Sequence, residues 1–321
     1  MAGCKLGISF GPESFLYSFP GDHPMNKSRL ALFAPALEKL ARDRSDNISI
    51  VAPVAASDDD LLVFHKKRYI DQVKEISRTG EGDLNYYDTP GFKGVYEASL
   101  FAVGNTLAGL YGIMDGRFDH FFNPVGGLHH ASEDEARGFC VFNDSTIVIS
   151  KALNDFKLRS VAYIDIDAHH GDGIYYEFEP DPSVIIGDIH EDGRYLYPGT
   201  GSDRETGKAY GMGTKLNIPL QPGSTDADFF KAVDQVERFV REAGPEFIFF
   251  QCGSDGLAGD PTADLRYTPA AHAYATKKFH NLAHDICKGR LLAMGGGGYK
   301  AENVSAAWSA VAKELSCIIE D

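Results

Sequence analysis

The run Val161-Ala-Tyr-Ile-Asp-Ile-Asp-Ala-His-His-Gly-Asp-Gly173 constrains the fold of this chain more than any other feature. A β-branched, apolar segment ends abruptly in acids and histidines, then glycine. Such a segment reads as a buried parallel strand whose carboxyl end opens into a site. Asp167 and His169 lie two residues apart, so on extended backbone they project to the same side. A carboxylate and an imidazole so placed can grip one divalent cation. The competing view is a polar turn that starts a helix, with aspartate as its cap.

The rest of the chain fits a parallel sheet. Strand-like apolar runs fall at 5–10, 48–51, 120–122, 161–166, 183–187, 215–218, 246–252 and 290–294. Helix-like amphipathic runs fall at 28–43, 67–77, 94–114, 141–155, 173–177, 226–242, 269–286 and 302–316. Alternation of this kind requires crossover connections, which place helices on both faces of a single open parallel α/β sheet of about eight strands. At 321 residues, with no repeat and no linker, the chain is expected to form one domain over residues 1–321. The glycine- and proline-rich stretches (123–127, 198–207, 253–261 and 295–299) follow strands, where open α/β sheets build their sites.

Charge narrows the partners. Forty-six acids against 31 bases give a net charge of −15, which disfavours direct binding of nucleic acid and suits cationic substrates. Cys4, Cys140, Cys252, Cys287 and Cys317 form no C-x-x-C pair. They read as reduced, mostly buried thiols of a cytoplasmic protein. With no signal pattern and no long apolar run, a soluble protein without membrane attachment is expected.

Four segments carry chemistry. Gly126-Gly-Leu-His129-His130-Ala131 follows a strand and offers two adjacent histidines. The opening run offers Asp165 and Asp172 besides Asp167 and His169. Gly253-Ser-Asp-Gly-Leu-Ala-Gly-Asp260-Pro261 reads alone as an Asp/Gly turn, with Asp260 available as a third ligand. Gly295-Gly-Gly-Gly-Tyr299 lets backbone approach a bound group closely and adds a hydroxyl. No phosphate-cradling G-x-x-x-x-G-K-[ST] or G-x-G-x-x-G pattern is present.

Together the segments, with Gly138-Phe139-Cys140, resemble the zinc-dependent histone deacetylase superfamily, which includes acetoin-utilisation proteins and acetylpolyamine amidohydrolases. The resemblance runs from His23-Pro24-Met25 to Tyr299 and implies an arginase/deacetylase-like fold. It implies that Asp167, His169 and Asp260 hold the metal: zinc, or iron(II) given the oxygen-rich set. It assigns general base to His130 backed by Asp172, electrostatic assistance to His129 backed by Asp165, and oxyanion donation to Tyr299. It places Phe139 and Tyr197 on the walls of an acyl tunnel beside Gly138, Tyr267 at an aliphatic tunnel position, and Asp88 on the rim. Finally, it implies a structural potassium or sodium ion held by Asp165, Asp167, His169, Asp188 and Ile189. Many relatives carry serine at position 188, so Asp188 is a departure whose added charge could either tighten that site or disturb Asp165.

The expected reaction is removal of acetyl or longer acyl groups from lysine side chains of proteins or peptides, with acylated polyamines as the alternative substrates. On this reading Glu191 and Asp192, ahead of Tyr197, could select a distant positive charge. Arginase-like ureohydrolases would need a carboxylate where this chain has Gly171. A non-catalytic acyl-lysine-binding module would be expected to lack ligands, a histidine or the tyrosine. Sequence does not specify the oligomeric state.

Overall fold

The protein is described by a computed structural model covering residues 3–85 and 88–317. The extreme ends of the expected domain, and Tyr87 beside Asp88, lie outside the described residues. In chain order the elements are β1 (Leu6–Ser9), α1 (Phe33–Asp43), β2 (Ile48–Val51), α2 (Asp58–Leu61), α3 (Lys67–Thr79), β3 (Asp83–Asn85), β4 (Thr89–Pro90), α4 (Val95–Met114), β5 (His120–Asn123) and α5 (Asp144–Asn154). They continue with β6 (Val161–Asp165), α6 (Asp172–Phe178), β7 (Val184–Glu191), β8 (Lys215–Leu220), α7 (Asp226–Ala243), β9 (Ile248–Gln251), α8 (Pro269–Cys287), β10 (Leu291–Met294) and α9 (Ala301–Leu315).

Eight strands form one sheet in the order β2-β1-β5-β10-β9-β6-β7-β8. Every pairing within it is parallel. β3 and β4 form a separate antiparallel ribbon. The apolar strand sequences explain why both faces are covered. Along β6, Val161 and Tyr163 pack into the core on one face, while Ala162, Ile164 and Ile166 pack on the other. β9 repeats this, with Phe249 on the first face and Ile248 and Phe250 on the second. Period-two geometry sends alternate side chains to opposite faces, so an uninterrupted apolar run needs a helical layer on each.

The helix caps agree with the local sequence. Thr268 accepts from Ala270 N–H at 3.3 Å with Pro269 opening α8, and Gly244 closes α7 in the left-handed region. Among the described residues no helix is long and apolar enough to cross a membrane. The consequence for function is topological. β5, β10, β9 and β6 are consecutive in the sheet, and the four chemistry-bearing segments each follow one of them.

Candidate metal and acid–base site

β6 hands its carboxyl end directly to the site. Asp165 accepts Asp167 N–H at 3.0 Å on one oxygen, and Tyr163 O–H at 2.7 Å and His129 Nδ1–H at 2.8 Å on the other. The chain then turns so that Asp167 and His169 face the same point. Asp167 is held in place by Gln251 Nε2 and Gly297 N–H, both at 2.8 Å, and by His169 N–H at 3.0 Å.

The third member of this cluster is Asp255. His169 Nδ1 lies 3.1 Å from Asp167 Oδ1 and 3.1 Å from Asp255 Oδ2, and the three ligand atoms all fall within 4.8 Å of one another. Asp255 is oriented by Ala168 N–H, which donates to its other oxygen at 2.8 Å. Asp260, the third ligand expected from sequence, is not part of this three-atom convergence. It accepts Tyr299 N–H at 2.7 Å on one oxygen and Thr262 Oγ1–H at 2.8 Å on the other.

The donor set fits a divalent cation. Two buried carboxylates converge beside one imidazole, an arrangement that carries a desolvation penalty unless positive charge lies between them. Burial and the Asp167 charge push Asp255 up to about 7. Burial alone would raise Asp167, but the imidazoles of His129 and His169 hold it well below the carboxylate range. His169, despite burial, is raised to about 10 by the two acids. Two oxygens and one nitrogen with a side open to a pocket match the three-ligand catalytic pattern.

The histidine pair is asymmetric. Asp144, at the start of α5, accepts Gly127 N–H at 3.0 Å and Leu128 N–H at 2.8 Å, fixing the loop that carries His129 and His130. His130 Nδ1 lies 2.7 Å from Asp172 Oδ1, and the two Nε2 atoms are 3.0 Å apart. Burial opposes charge on both rings. In His129 the charges of Asp165 and Asp167 overcome it and raise the imidazole to about 9. In His130 burial and the neighbouring His129 cation win over Asp172, and the pKa falls below the ordinary 6.5. These opposite shifts favour the proton on His129 and leave His130 the more readily neutral ring.

Above this floor stands a cavity of about 230 Å³ lined by Asp88, His130, Gly138, Phe139, His169, Tyr197, Thr262 and Tyr299. Phe139 is held in the left-handed region at φ 67°, with its N–H on Thr89 Oγ1 at 3.1 Å and its carbonyl accepting Tyr17 O–H at 2.7 Å. Its ring meets Tyr299 edge-on at 5.6 Å, and Tyr197 lies edge-on to His130 at 5.2 Å. Asp88 accepts Gly138 N–H at 3.2 Å, tying the rim to the wall.

Tyr267 is not part of this cavity. It is 2% exposed and packs on Phe229 at 4.6 Å, in the core beneath α7, and Thr262 takes the expected tunnel place. Glu191 and Asp192 also depart from expectation. Glu191 is buried at the end of β7 and accepts Asp264 N–H at 2.8 Å, while Asp192 is engaged by Arg194 Nε at 3.0 Å and Gln221 Nε2 at 3.0 Å. Neither is free to select a distant cation.

Asp188 is likewise committed: one oxygen meets His190 Nδ1 at 2.6 Å and the other accepts Gly171 N–H at 3.0 Å. Burial opposes its charge, yet the His190 cation keeps its carboxyl below the ordinary range. Gly171 has no room for a side chain, since an added Cβ would lie 2.9 Å from Asp165 Oδ2. A second carboxylate of the ureohydrolase kind does not fit there.

Sequence reasoning missed Arg29. Its guanidinium, 5% exposed, donates from Nε to Gly298 O at 2.8 Å and from NH2 to Gly296 O at 2.7 Å, and it lies over the Tyr299 ring at 5.4 Å. It anchors the four-glycine loop from below. An isolated arginine in a short polar stretch carries no local mark of that task.

The profile of the histone deacetylase domain family matches residues 23–315. The chain is 36% identical over 322 residues to the acetoin utilization protein AcuC of Bacillus subtilis (strain 168), covering 96% of this chain and 81% of that protein. It is 33% identical over 314 residues to AcuC of Staphylococcus xylosus (95% and 81%). AcuC of Staphylococcus aureus (strain MSSA476) is 34% identical over 316 residues (96% and 80%).

Proposed function

The chain belongs to the histone deacetylase domain family, and from that premise we propose that it hydrolyses acylated amines, with acetyl-lysine side chains of proteins or peptides as its substrate class. One observation carries the reading: the unequal pair His129–His130, each ring backed by its own carboxylate, sits at the floor of an aromatic cavity beside the Asp167, His169 and Asp255 cluster. A binding module has no need of a neutral imidazole held next to a charged one.

Asp167 and His169 would hold the metal with an aspartate of the loop from Gly253 to Pro261, either Asp260 as expected from sequence or Asp255 by its convergence on them; zinc fits by family and donor number, with iron(II) compatible with the oxygen-rich set. Bound there, a divalent cation supplies Lewis acidity toward an amide carbonyl and acidifies water. The remaining work belongs to the chain. Phe139 and Tyr197 flank the methylene stem of the substrate and keep bulk water from it. Asp88 at the rim, held by Gly138 N–H, offers a carboxylate to the substrate backbone.

Neutral His130 takes a proton from the attacking water at Nε2, while Asp172 on Nδ1 fixes the tautomer and stabilises the cation. Tyr299, its pKa raised by burial and therefore a neutral donor, gives a hydrogen bond to the developing oxyanion. As the C–N bond breaks, His130 returns its proton to the leaving amine, releasing carboxylate and free amine. His129 remains charged on Asp165 and limits when His130 can hold a second proton.

Backbone oxygens of Asp165, Asp167, His169 and Ile189, with Asp188, would form the monovalent potassium or sodium site. His190 beside Asp188 offsets the extra charge there.

The test is a panel of acylated lysines, peptides and polyamines compared by kcat/KM, with metal content measured on the same preparation. Acyl-lysine peptides are expected to be hydrolysed. Stoichiometric metal without hydrolysis of any of them would overturn the reading, and faster turnover of acetylpolyamines would move the substrate class.

A further inference from the structure

At the opposite end of the sheet lies a second convergence of ligating groups that the catalytic site does not use. Cys4 lies two residues ahead of the first residue of β1, His120 opens β5, and His280 and His284 sit four residues apart on the last turns of α8. β1 and β5 are neighbours in the sheet, and the i, i+4 spacing puts both α8 histidines on one helix face. Cys4 Sγ lies 3.5 Å from His280 Nε2 and 3.5 Å from His284 Nε2, and His120 Nε2 lies 3.1 Å from His284 Nε2. All four ligand atoms fall within 4.8 Å of one another.

We propose that Cys4, His120, His280 and His284 form a closed, four-coordinate structural site for a borderline-soft divalent cation, with zinc the fitting ion. The distances carry the assignment. A tetrahedron with Zn–N near 2.05 Å and Zn–S near 2.3 Å has N···N edges of roughly 3.3 Å and N···S edges of roughly 3.5 Å. The two S···N separations of 3.5 Å match those edges, and the N···N separation of 3.1 Å is slightly shorter. The rings also meet edge-on, at 4.6 Å for His120 with His280 and 5.0 Å for His120 with His284, so that their Nε2 atoms face a common centre.

A neutral imidazole has one donor and one acceptor nitrogen, and three Nε2 atoms and a thiol turned on one point crowd their lone pairs together. A cation converts that conflict into bonding. Binding displaces one proton, from the Cys4 thiol to solvent, and leaves a net charge of +1 on the ligated centre. Asp119 acts electrostatically on Cys4, His280 and His284 and supplies the counter-charge. Gly289 completes the wall: its φ of 77° ends the α8 turn, and an added Cβ would lie 2.7 Å from His284 Cε1. One thiolate and three imidazoles, four protein ligands in all, make a structural site, binding the start of β1 and β5 to the end of α8.

The experiment strips the purified full-length protein with a chelator, reloads it with Co2+, and measures metal content together with the ultraviolet absorption of thiolate bound to Co2+. The catalytic cluster has no sulfur ligand, so that absorption reports the basal site alone. Wild-type protein is expected to take up two equivalents and show the band. Cys4→Ser should abolish the band while hydrolysis by the reloaded enzyme persists. His284→Asn should lower uptake from two equivalents to one, and Asp255→Asn should keep the band with one equivalent. A single equivalent without the band in wild-type protein, or a band that survives Cys4→Ser, would overturn the assignment whether or not either variant folds.

Discussion

The two ends of the same central strands gather ligating side chains of opposite character. At the carboxyl end, Asp167, His169 and Asp255 bring two carboxylates, and His169 opens onto a cavity. At the amino end, Cys4, His120, His280 and His284 bring sulfur and nitrogen. The acidic end raises its histidines, His129 to about 9 and His169 to about 10. The basal end depresses its own, with burial and neighbouring imidazoles lowering His280 to about 4. A parallel sheet supplies both places because it ends all its strands together. The side chains placed there decide between an open centre suited to catalysis and a closed one suited to holding the fold.

The sharpest break of this comparison is Asp255→Asn. It should remove the pocket metal and reduce kcat/KM on the order of 10³-fold or more, the equivalent of several kcal/mol of lost charge stabilisation. Asp260→Asn should retain the metal and weaken turnover through a misplaced Tyr299. Metal content and kcat/KM on the two variants decide between the aspartates. Next in size, Tyr299→Phe should lower kcat by about 10²–10³ with metal content unchanged. A loss of metal in that variant would mean the tyrosine acts on the centre rather than on the substrate.

A smaller effect separates the two histidines. His130 works neutral, and its pKa is held below 6.5 by burial and the His129 cation, so the acid limb of kcat/KM should lie below pH 6.5. His129→Asn removes that cation, raises the His130 pKa, and should move the limb to higher pH, with turnover falling about tenfold. A pH profile whose acid limb stays in place would assign the depression to burial alone.

The smallest effect is on stability of chelated protein. In the folded state His280 titrates near 4, against 6.5 for an ordinary histidine, so between these values the unfolded chain binds more protons. Stability should rise with pH through that window and be lost as pH falls from 6.5 toward 4. Each pKa unit corresponds to on the order of 1 kcal/mol. Reloading Zn2+ should raise the thermal midpoint near neutrality, and Cys4→Ser should blunt that gain; thermal melts across pH check both.

Much of the architecture was legible because it depends on local pattern. The uninterrupted apolar runs at Val161–Ile164 and Phe247–Phe250 required cover on both faces, and the strands and helices fall close to their expected places. The Asp167–His169 pair was expected from a spacing of two on extended backbone, but β6 ends at Asp165, and bends at both residues, rather than strand alternation, bring them together. The loop from Gly253 to Pro261 has no period, so spacing alone could not choose Asp255 over Asp260. Tyr267 failed similarly, because the loop turns it into the core and presents Thr262 to the cavity.

The sequence by itself determined the class of sheet, the end at which chemistry would gather, and the residue types available there. Only the tertiary structure decided that Asp255 converges on Asp167 and His169, that Arg29 braces the glycine loop, and that residues as distant as Cys4 and His284 meet. The physical reason is range. Strand and helix periodicity fix side-chain direction over a few residues, whereas convergence across 280 positions follows only from strand order and helix packing.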